Sequence, residues 1–388
     1  MTEEKKHVPE LRFPEFEGEW RIITLGEATI KIGSGKTPLG GSSVYLNKGI
    51  PFLRSQNVQY GILDLSELVY IDENTDENMK NSRTYYGDIL LNITGASIGR
   101  STVNTIKEGY ANLNQHVCII RLKEHYNYNF IGQFLISPKG QKRIFMAQSG
   151  GSREGLNFNE ISKIKFNLPD EIEEQQKIGN FFSKLDRQIE LEEEKLALLE
   201  EQKKGYMQKI FSQELRFKDE NGEEYPAWEE QKLDNIANIG TGKSKVKNTG
   251  GNYDVLGSTG IIGKSNNYDY EGDFILIARV GHYAGSLYKY SGKVNITDNT
   301  IYLKSNIVLE FIYYSLKRYR ISRLVFGSGQ PLLKSSDIKQ LKLFISGEKE
   351  QQKIGDFFSK LDRHIELQGK KIELLKQRKQ GFLQKMFV

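Results

Sequence analysis

The sequence predicts an α+β protein in which two mixed α/β domains are joined by two long helices that form an antiparallel intramolecular coiled coil. Nearly the same block occurs at residues 174–211 and 350–387, at a constant offset of 176 positions. Both copies have heptad periodicity, and short alternating apolar runs fill the segments between them. A period close to half of the 388 residues indicates two large pseudo-symmetric halves and excludes a solenoid of short repeats.

Four segments follow from this pattern: a first domain at 1–170, a first helix at 171–211, a second domain at 212–346 and a second helix at 347–388. We expect short strands at Ile89–Ile93, Val117–Leu122, Phe274–Ala278 and Thr300–Leu303. One helical stretch is expected late in each domain, at Phe130–Ala147 and Val308–Val325. The two domains also resemble each other faintly, since GSGKT at 33–37 corresponds to GTGKS at 240–244.

The coiled-coil seam is predicted from residues that recur at alternating spacings of three and four. Its members are Leu185, Ile189, Glu192, Leu196, Leu199, Lys203 and Tyr206 in the first block and Leu361, Ile365, Gln368, Ile372, Leu375, Lys379 and Phe382 in the second. A surface helix packed on a globular core would show a wider apolar stripe and fewer flanking charges, so the coiled coil is favoured.

The polar residues in this seam predict how the helices pair. An antiparallel register with Glu192 opposite Lys379 also places Gln368 opposite Lys203, so each ammonium meets a carboxylate or an amide. A parallel pair in equivalent register would bring Lys203 against Lys379 inside the seam, at a cost in energy. We therefore expect an antiparallel pair in that register.

Composition restricts the class of protein. The chain contains no run of 18 apolar residues and begins with a charged segment, so neither a secretory signal nor a membrane span is expected. The single cysteine, Cys118, fits a reducing cytoplasm and a place in the core. Residues 231–346 contain 16 Lys and Arg against 8 Asp and Glu, which predicts a basic surface on the second domain. Residues 1–170 are nearly neutral, so the first domain would have to segregate its charges.

The two glycine-rich loops resemble phosphate-binding P-loops only in part. A P-loop needs a glycine five residues before the GK glycine, and those positions hold Ile30 and Ala237. Pro38 also follows the first loop where a helix should begin. We therefore reject nucleotide binding, and interpret the loops as segments that present lysine and hydroxyl side chains to a phosphodiester.

No catalytic constellation stands out elsewhere. The five histidines are scattered without metal-ligand spacing, and no nucleophile elbow or dinucleotide-binding motif is present, so neither catalytic residues nor a metal site are predicted. What remains are the Asn, Gln, Arg and Lys side chains that recognise base edges and phosphates, clustered in turns.

The candidate DNA contacts fall into two groups. In the first domain they are Lys36, Thr37, Arg54, Gln56, Asn57, Asn92, Arg100, Asn112, Asn114, Gln115 and Arg153. In the second domain they are Lys243, Ser244, Lys245, Lys247, Arg279, His282, Tyr283, Asn295, Asp298, Asn299 and Lys334. Arg54 and Arg279 are singled out, because each follows an apolar run and is adjacent to polar turn residues.

The doubled helical block, with Glu-Gln-Gln-Lys-Ile leading into FFSKLDRQIEL, resembles the specificity subunit of type I restriction–modification systems. Gly-Leu-Asn followed by Ile-Ser at 155–162 and the SGKTP loop at 34–38 match the same family. The resemblance covers essentially the whole chain. The second domain departs from it at Lys334 and Ser335, where the first has Asn157 and Phe158, and it lacks the proline after GTGKS.

The resemblance implies a noncatalytic subunit whose two target recognition domains each read one half of a bipartite site in double-stranded DNA. It further implies that the helices, roughly 55 Å long, set the gap between the half-sites and dock two modification (methyltransferase) subunits. S-adenosylmethionine, ATP and Mg are then expected on the modification and restriction subunits, and none on this chain. Two alternatives remain: a protein-binding scaffold without direct DNA contact, and a stand-alone nuclease or nucleotide hydrolase that uses the GK loops.

Overall fold

The computed structural model describes residues 7–148, 155–245, 250–327 and 331–388, which divide into two compact units. The first unit contains the residues up to Glu192 together with Lys371–Val388, and the second contains Glu193–Lys370. Each unit therefore combines one mixed α/β domain with part of both long helices. The mixed domains and long helices confirm the predicted fold class.

The first unit is built on ten strands and the first part of a long helix. The strands are β1 Arg21–Thr24, β2 Thr29–Ser34, β3 Ile50–Leu53, β4 Val69–Ile71, β5 Arg83–Thr84, β6 Ile89–Asn92, β7 Ser101–Val103, β8 Ala111–Leu113, β9 Val117–Leu122 and β10 Lys165–Leu168. They form three sheets with the strand orders β1-β10, β2-β9-β6-β7 and β4-β3-β8-β5. The helices are α1 Leu25–Ala28, α2 Glu73–Asn78, α3 Tyr128–Ile136, α4 Pro138–Ala147, α5 Phe158–Ser162 and the long α6, Ile172–Phe211, which ends in the second unit.

The described residues of the second unit contain the strands β11 Glu229–Lys232, β12 Ala237–Thr241, β13 Tyr253–Gly257, β14 Gly260–Ser265, β15 Tyr270–Ala278, β16 Leu287–Ile296, β17 Thr300–Ser305 and β18 Lys342–Ile345. They form two sheets with the strand orders β11-β18 and β12-β17-β15-β16-β13-β14. The helices are α7 Leu233–Ile236, α8 Leu309–Tyr319, α9 Ser335–Lys339 and the long α10, Glu348–Lys385, which ends in the first unit.

Each predicted domain helix is interrupted in the structure. In the first domain the break falls at Ser137, because a residue before proline avoids the helical region and Pro138 begins a new helix. The Ser137 hydroxyl caps that helix by accepting from the N–H of Gly140 at 3.1 Å. In the second domain α8 ends at Tyr319, and the left-handed backbone of Arg320 (φ 60°) turns the chain into a 3₁₀ turn.

The main core of each unit forms where the domain packs on the long helices. In the first unit Phe130, Phe182 and Phe387 pack together, and their rings lie 5.2 to 5.9 Å apart where they contact Phe387. In the second unit Phe311 and Phe358 pack against Phe211 at 5.8 and 6.0 Å. The same aromatic arrangement thus recurs at equivalent positions, which explains why the sequence keeps both copies of the block.

The long helices pair in antiparallel fashion, but the predicted register is wrong. In the first unit Lys379 pairs with Asp186, not Glu192, and Glu192 pairs with Lys371. In the second unit Lys203 pairs with Asp362 rather than lying opposite Gln368. Asp186 and Asp362 lie beside the seam and are not members of it. A register predicted by pairing only the polar seam residues therefore leaves out these two partners of the lysines.

The burial of the predicted seam fits a paired helix face. Ile189, Gln368, Ile372 and Leu375 are buried. The other members are half-buried, except Tyr206, which is exposed. Tyr206 nevertheless contacts Phe357 at a centroid distance of 5.2 Å. Most of the stripe is therefore at least partly shielded from solvent.

Candidate nucleic-acid interface

The GSGKT loop of the first domain is a fixed backbone segment with two exposed side chains at its end. The N–H groups of Gly35 and Lys36 donate to the carbonyls of Val117 and Leu113, at 3.1 and 3.0 Å. A Cβ at Gly35 would lie 2.0 Å from the Leu113 oxygen, so only glycine fits. These amides are engaged within the protein and do not form a phosphate cradle, while Lys36 and Thr37 point outward.

A second loop, at Arg54–Asn57, follows β3 and lies next to the GSGKT loop. The N–H of Asn114, which follows β8, donates to the Leu53 carbonyl at 3.0 Å. The Arg54 side chain donates to the Glu67 carbonyl at 3.0 Å and lies over the Tyr45 ring at 5.5 Å. Its guanidinium therefore sits in a fixed place beside the exposed Gln56.

A third group surrounds the turn between β8 and β9. The side chain of Asn114 accepts from the N–H of His116 at 3.0 Å, and the ring of His116 is hydrogen-bonded to Thr94. Arg100 donates to the Gln59 side chain at 2.9 Å. The structure thus brings Lys36, Thr37, Arg54, Gln56, Arg100, Asn114 and Gln115 to adjoining loops of the first domain.

Three first-domain candidates are corrected by the structure. Asn57, Asn92 and Asn112 are buried, and their amide groups bond inside the domain. Asn57 donates to the Asp64 carbonyl, Asn92 to the Ser55 carbonyl and Asn112 to the Asp76 carboxylate, at 2.8, 2.8 and 2.9 Å. Asn92 and Asn112 lie within strands among apolar neighbours, which is the signal for burial that the turn argument overlooked.

Asp76 shows how the first domain segregates its charges. Its carboxylate is buried and accepts from Arg83, Tyr110 and Asn112. Burial alone would raise the pKa of Asp76, but these hydrogen bonds outweigh it and lower the pKa below its usual value. One member of the acidic cluster in the sequence is therefore internal and neutralised, and does not oppose a polyanion at the surface.

The second domain brings its candidates around a cavity of about 550 Å³. Lys243, Lys245, Asp298 and Asn299 line the cavity. Arg279 adjoins it, since its backbone N–H donates to the Asn299 carbonyl at 2.9 Å and its side chain to the Asp298 carbonyl at 3.0 Å. Both lysine side chains are exposed, so the cavity has a positively charged rim.

Two second-domain candidates are also corrected. Ser244 is buried, and its hydroxyl accepts from the N–H of Ile296 at 3.2 Å and bonds to Asp269. Asn295 is buried and donates to the Asn267 carbonyl at 2.7 Å. Both side chains fix the loops that carry the neighbouring lysines instead of facing outward.

The remaining candidates lie beside Arg279 or outside the described residues. The N–H of Leu333 donates to the Arg279 carbonyl at 2.8 Å, which places Lys334 next to it. The exposed His282 and Tyr283 follow in the same loop, with ring centroids 5.1 Å apart. Arg153 and Lys247 fall in segments outside the described ranges.

The single cysteine of the chain, Cys118, is buried in the core of the first domain. Burial raises the pKa of Cys118 to about 12, so this thiol stays protonated at neutral pH and is no nucleophile. Within the described ranges no group of three His, Cys, Asp or Glu side chains could hold a metal ion. Across the same part of the chain no helix is both long and apolar enough to cross a bilayer.

Known proteins with similar sequences include specificity subunits of type I restriction systems. The sequence profile of the family described as "Type I restriction modification DNA specificity domain" matches residues 17–201 and 226–377. The type I restriction enzyme MjaVIII specificity subunit of Methanocaldococcus jannaschii is 24% identical over 97% of this chain and 93% of its own length. A protein named for the MjaX specificity subunit of the same organism is 23% identical over 51% of this chain and only 47% of its own length.

A solved structure agrees at the level of the fold. The S subunit of a type I restriction–modification system from M. genitalium superposes with a TM-score of 0.65 at 17% identity. The superposition covers 98% of this chain and 99% of that one.

Proposed function

The chain belongs to the family of type I restriction–modification DNA specificity domains, and from that premise we propose that it is the noncatalytic subunit that reads a bipartite DNA site. Each recognition domain reads one half-site. The observation that supports this most directly is the gathering of cationic and amide side chains on adjoining loops in both domains, where the lysines and Gln56 are exposed and the two arginines are half-buried. Lys36, Arg54 and Gln56 form such a group in the first domain. Lys243, Lys245 and Arg279 form the other.

The side chains in these two groups are of the types that DNA recognition requires. Lysine and arginine bind phosphates and supply affinity, while amide and guanidinium groups held in fixed geometry read base edges. Arg54 and Arg279 are both held by hydrogen bonds to backbone carbonyls, at 3.0 Å in each case. Such fixed side chains lose little conformational freedom on binding, which favours a specific contact.

We also propose that the long helices set the gap between half-sites and dock two modification subunits. Leu191 and Leu198 of α6 are exposed, and so are Leu367 and Leu374 at the equivalent positions of α10. The two leucines of each helix are seven residues apart and so lie on one face, which a partner subunit could cover. Because each helix carries its own pair, two copies of one partner are expected.

The catalytic chemistry then resides on other subunits. S-adenosylmethionine would be bound by the modification subunits, and ATP and Mg by the restriction subunits. A cytoplasmic location accompanies this proposal, because the DNA and the partner subunits are there.

A binding experiment on the assembled complex tests the proposal. The chain is combined with the modification subunits of its own system and offered a pool of random duplexes. We expect the bound sequences to share two short motifs separated by a gap of fixed length, and binding to weaken steeply as salt rises. Enrichment of no sequence at all would refute the proposal and favour a protein-binding scaffold.

Helix length offers a second test. Inserting one heptad into α6 and one into α10 should lengthen the gap between the enriched motifs and leave the motifs unchanged. The control variant carries Ala at exposed helix positions without a change in length. Altered motifs at an unchanged gap would contradict the role of the helices.

A further inference from the structure

The first domain carries an exposed apolar hairpin tip next to its candidate DNA contacts. Val58 pairs with Leu63, and the N–H of Gln59 donates to the Ile62 carbonyl at 3.0 Å, which closes a tight turn. The side chains of Tyr60 and Ile62 at this tip are 52% and 56% exposed. Neither residue is among the sequence-based candidates, because those are Asn, Gln, Arg, Lys and other polar side chains in turns.

This tip is held rigidly beside the proposed interface. The N–H of Gly61 donates to the Ser101 carbonyl at 2.8 Å, and its backbone (φ 79°) favours glycine. The Gln59 side chain donates to the Gln56 carbonyl at 2.8 Å and accepts from Arg100 at 2.9 Å. The tip is therefore continuous with the Arg54–Asn57 loop and is fixed to the domain by these hydrogen bonds.

The second domain has a comparable tip on a different pair of strands. β13 and β14 form a two-residue hairpin in which Gly257 pairs with Gly260. Ile261 and Ile262, just after the turn, are 59% and 58% exposed. Ile262 lines the same cavity as Lys243 and Lys245, so apolar and cationic side chains share one surface.

Resting on the proposed function, we propose that both hairpin tips enter the major groove and read thymine through apolar contact with its C5-methyl group. A two-stranded β-ribbon such as β13–β14 fits that groove, and the methyl group is the one apolar feature that distinguishes base pairs there. Lys243 and Lys245 beside the second tip, and Arg100 beside the first, would hold the phosphates. A rigid tip makes such a contact without a large loss of conformational entropy.

Two variants of the full chain, in complex with the modification subunits, test the inference. Tyr60→Ser changes the first tip and Ile261→Ser the second. Ile30→Ser and Phe344→Ser are the matched controls, since Ile30 and Phe344 are 67% and 51% exposed and belong to neither tip. Circular dichroism verifies that all four variants fold.

The probe is the duplex selected by the wild-type complex from the random pool. Each tip variant should bind it about 10-fold more weakly, the usual loss for one base contact, while both controls bind like wild type. The slope of log affinity against log salt should stay unchanged, because no phosphate contact is lost. Replacing thymine by uracil in one half-site removes the methyl group and should weaken binding by the wild-type complex. The variant whose altered tip reads that half-site should bind the thymine and uracil duplexes equally well.

Two results would overturn the inference: tip variants that bind as tightly as wild type, or uracil that leaves wild-type binding unchanged. If instead the wild-type complex selects no sequence from the pool, the proposed function itself fails. The two failures are therefore distinguishable.

Discussion

Lys203 of α6 and Asp362 of α10 form an ion pair within the second unit, and the Asp362 carboxylate also accepts from the hydroxyl of Tyr314 on α8, at 2.8 Å. Asp362 thus joins both long helices and the recognition domain at one point. In the first unit Asp186 joins the same three parts, since it pairs with Lys379 and accepts from Gln133 at 2.9 Å. The chain repeats this junction at positions 176 residues apart.

Removing the lysine from this junction should destabilise the protein. Lys203→Met leaves the Asp362 carboxylate half-buried with one hydrogen bond fewer, and we expect the free energy of unfolding to fall by about 1–2 kcal/mol. Urea denaturation of the full chain measures the change. The matched control is Lys370→Met, which removes an exposed pair with Glu366 on α10 and should cost under about 0.5 kcal/mol. Equal losses in both variants would contradict a structural role for the junction.

The same carboxylate should make stability depend on pH. Burial would raise the pKa of Asp362, but the hydrogen bonds from Lys203 and Tyr314 outweigh it, so the pKa lies below its usual value. Its contribution is then complete above the unfolded pKa of about 3.9 and is lost as the pH falls through the lower folded value. The acid limb of the stability curve should therefore be shallower for Asp362→Asn than for wild type, as measured by urea midpoints between pH 7 and 3. Superimposable curves would show that Asp362 makes no such contribution.

Substituting alanine for the glycines of α6 and α10 should raise the free energy of unfolding at some positions and lower it at others. A Cβ at Gly179 of α6 would lie 2.6 Å from the Asn127 side chain, and one at Gly355 of α10 would lie 2.7 Å from that of Glu310. Gly205 and Gly381 have open space instead. We expect Gly205→Ala and Gly381→Ala to stabilise the free chain by about 0.5–1 kcal/mol, since alanine favours the helix. Gly179→Ala and Gly355→Ala should destabilise it by about 1–3 kcal/mol. Thermal unfolding distinguishes the two pairs, and a uniform gain would contradict the close packing.

Glu350 at the start of α10 should be more sensitive to substitution than its counterpart Glu174. Glu350 is fully buried and accepts from Arg216 at 2.7 Å and from the indole N–H of Trp228 at 2.9 Å. Glu174 accepts from Arg12 at 2.7 and 2.8 Å. Glu350→Gln should cost about 3 kcal/mol or more, because it leaves the Arg216 guanidinium without its carboxylate and also weakens the hydrogen bond from Trp228. Glu174→Gln, the matched variant, should cost less, and a larger loss there would contradict this ranking.

The two exposed lysines that line the cavity of the second domain should act on affinity without changing sequence preference. Lys243→Ala and Lys245→Ala should each weaken DNA binding by the assembled complex across all sequences. Each should also reduce the slope of log affinity against log salt by about 1, the amount expected for one phosphate contact. Fluorescence anisotropy at several salt concentrations measures both quantities. Lys232→Ala, on the exposed strand β11 of the same unit, serves as the control. A changed motif with an unchanged slope would mean that these lysines read bases.

The repeat at a fixed offset was sufficient to predict the fold class, because helical periodicity and alternating apolar runs are local signals. The antiparallel direction of the helices also followed from charges in the seam. The register did not, because Asp186 and Asp362 lie beside the seam and are held there by Gln133 and Tyr314 of the domains. Such a junction depends on three elements that are distant in sequence.

The candidate interface was predictable only in outline. Lys36, Arg54, Lys243 and Arg279 could be chosen because they occur in turns after apolar runs. Whether an amide in such a region faces out or caps its own loop depends on tertiary contacts that no local pattern encodes. Asn112 illustrates this, since its partner Asp76 is far away in the sequence.

The most direct test of the central proposal is to map methylated adenines in the genome of cells that express this chain with its modification subunits. We expect one motif made of two short defined half-sites, separated by a gap of fixed length and undefined sequence. A contiguous motif, or methylation that does not change when this chain is replaced, would contradict the account.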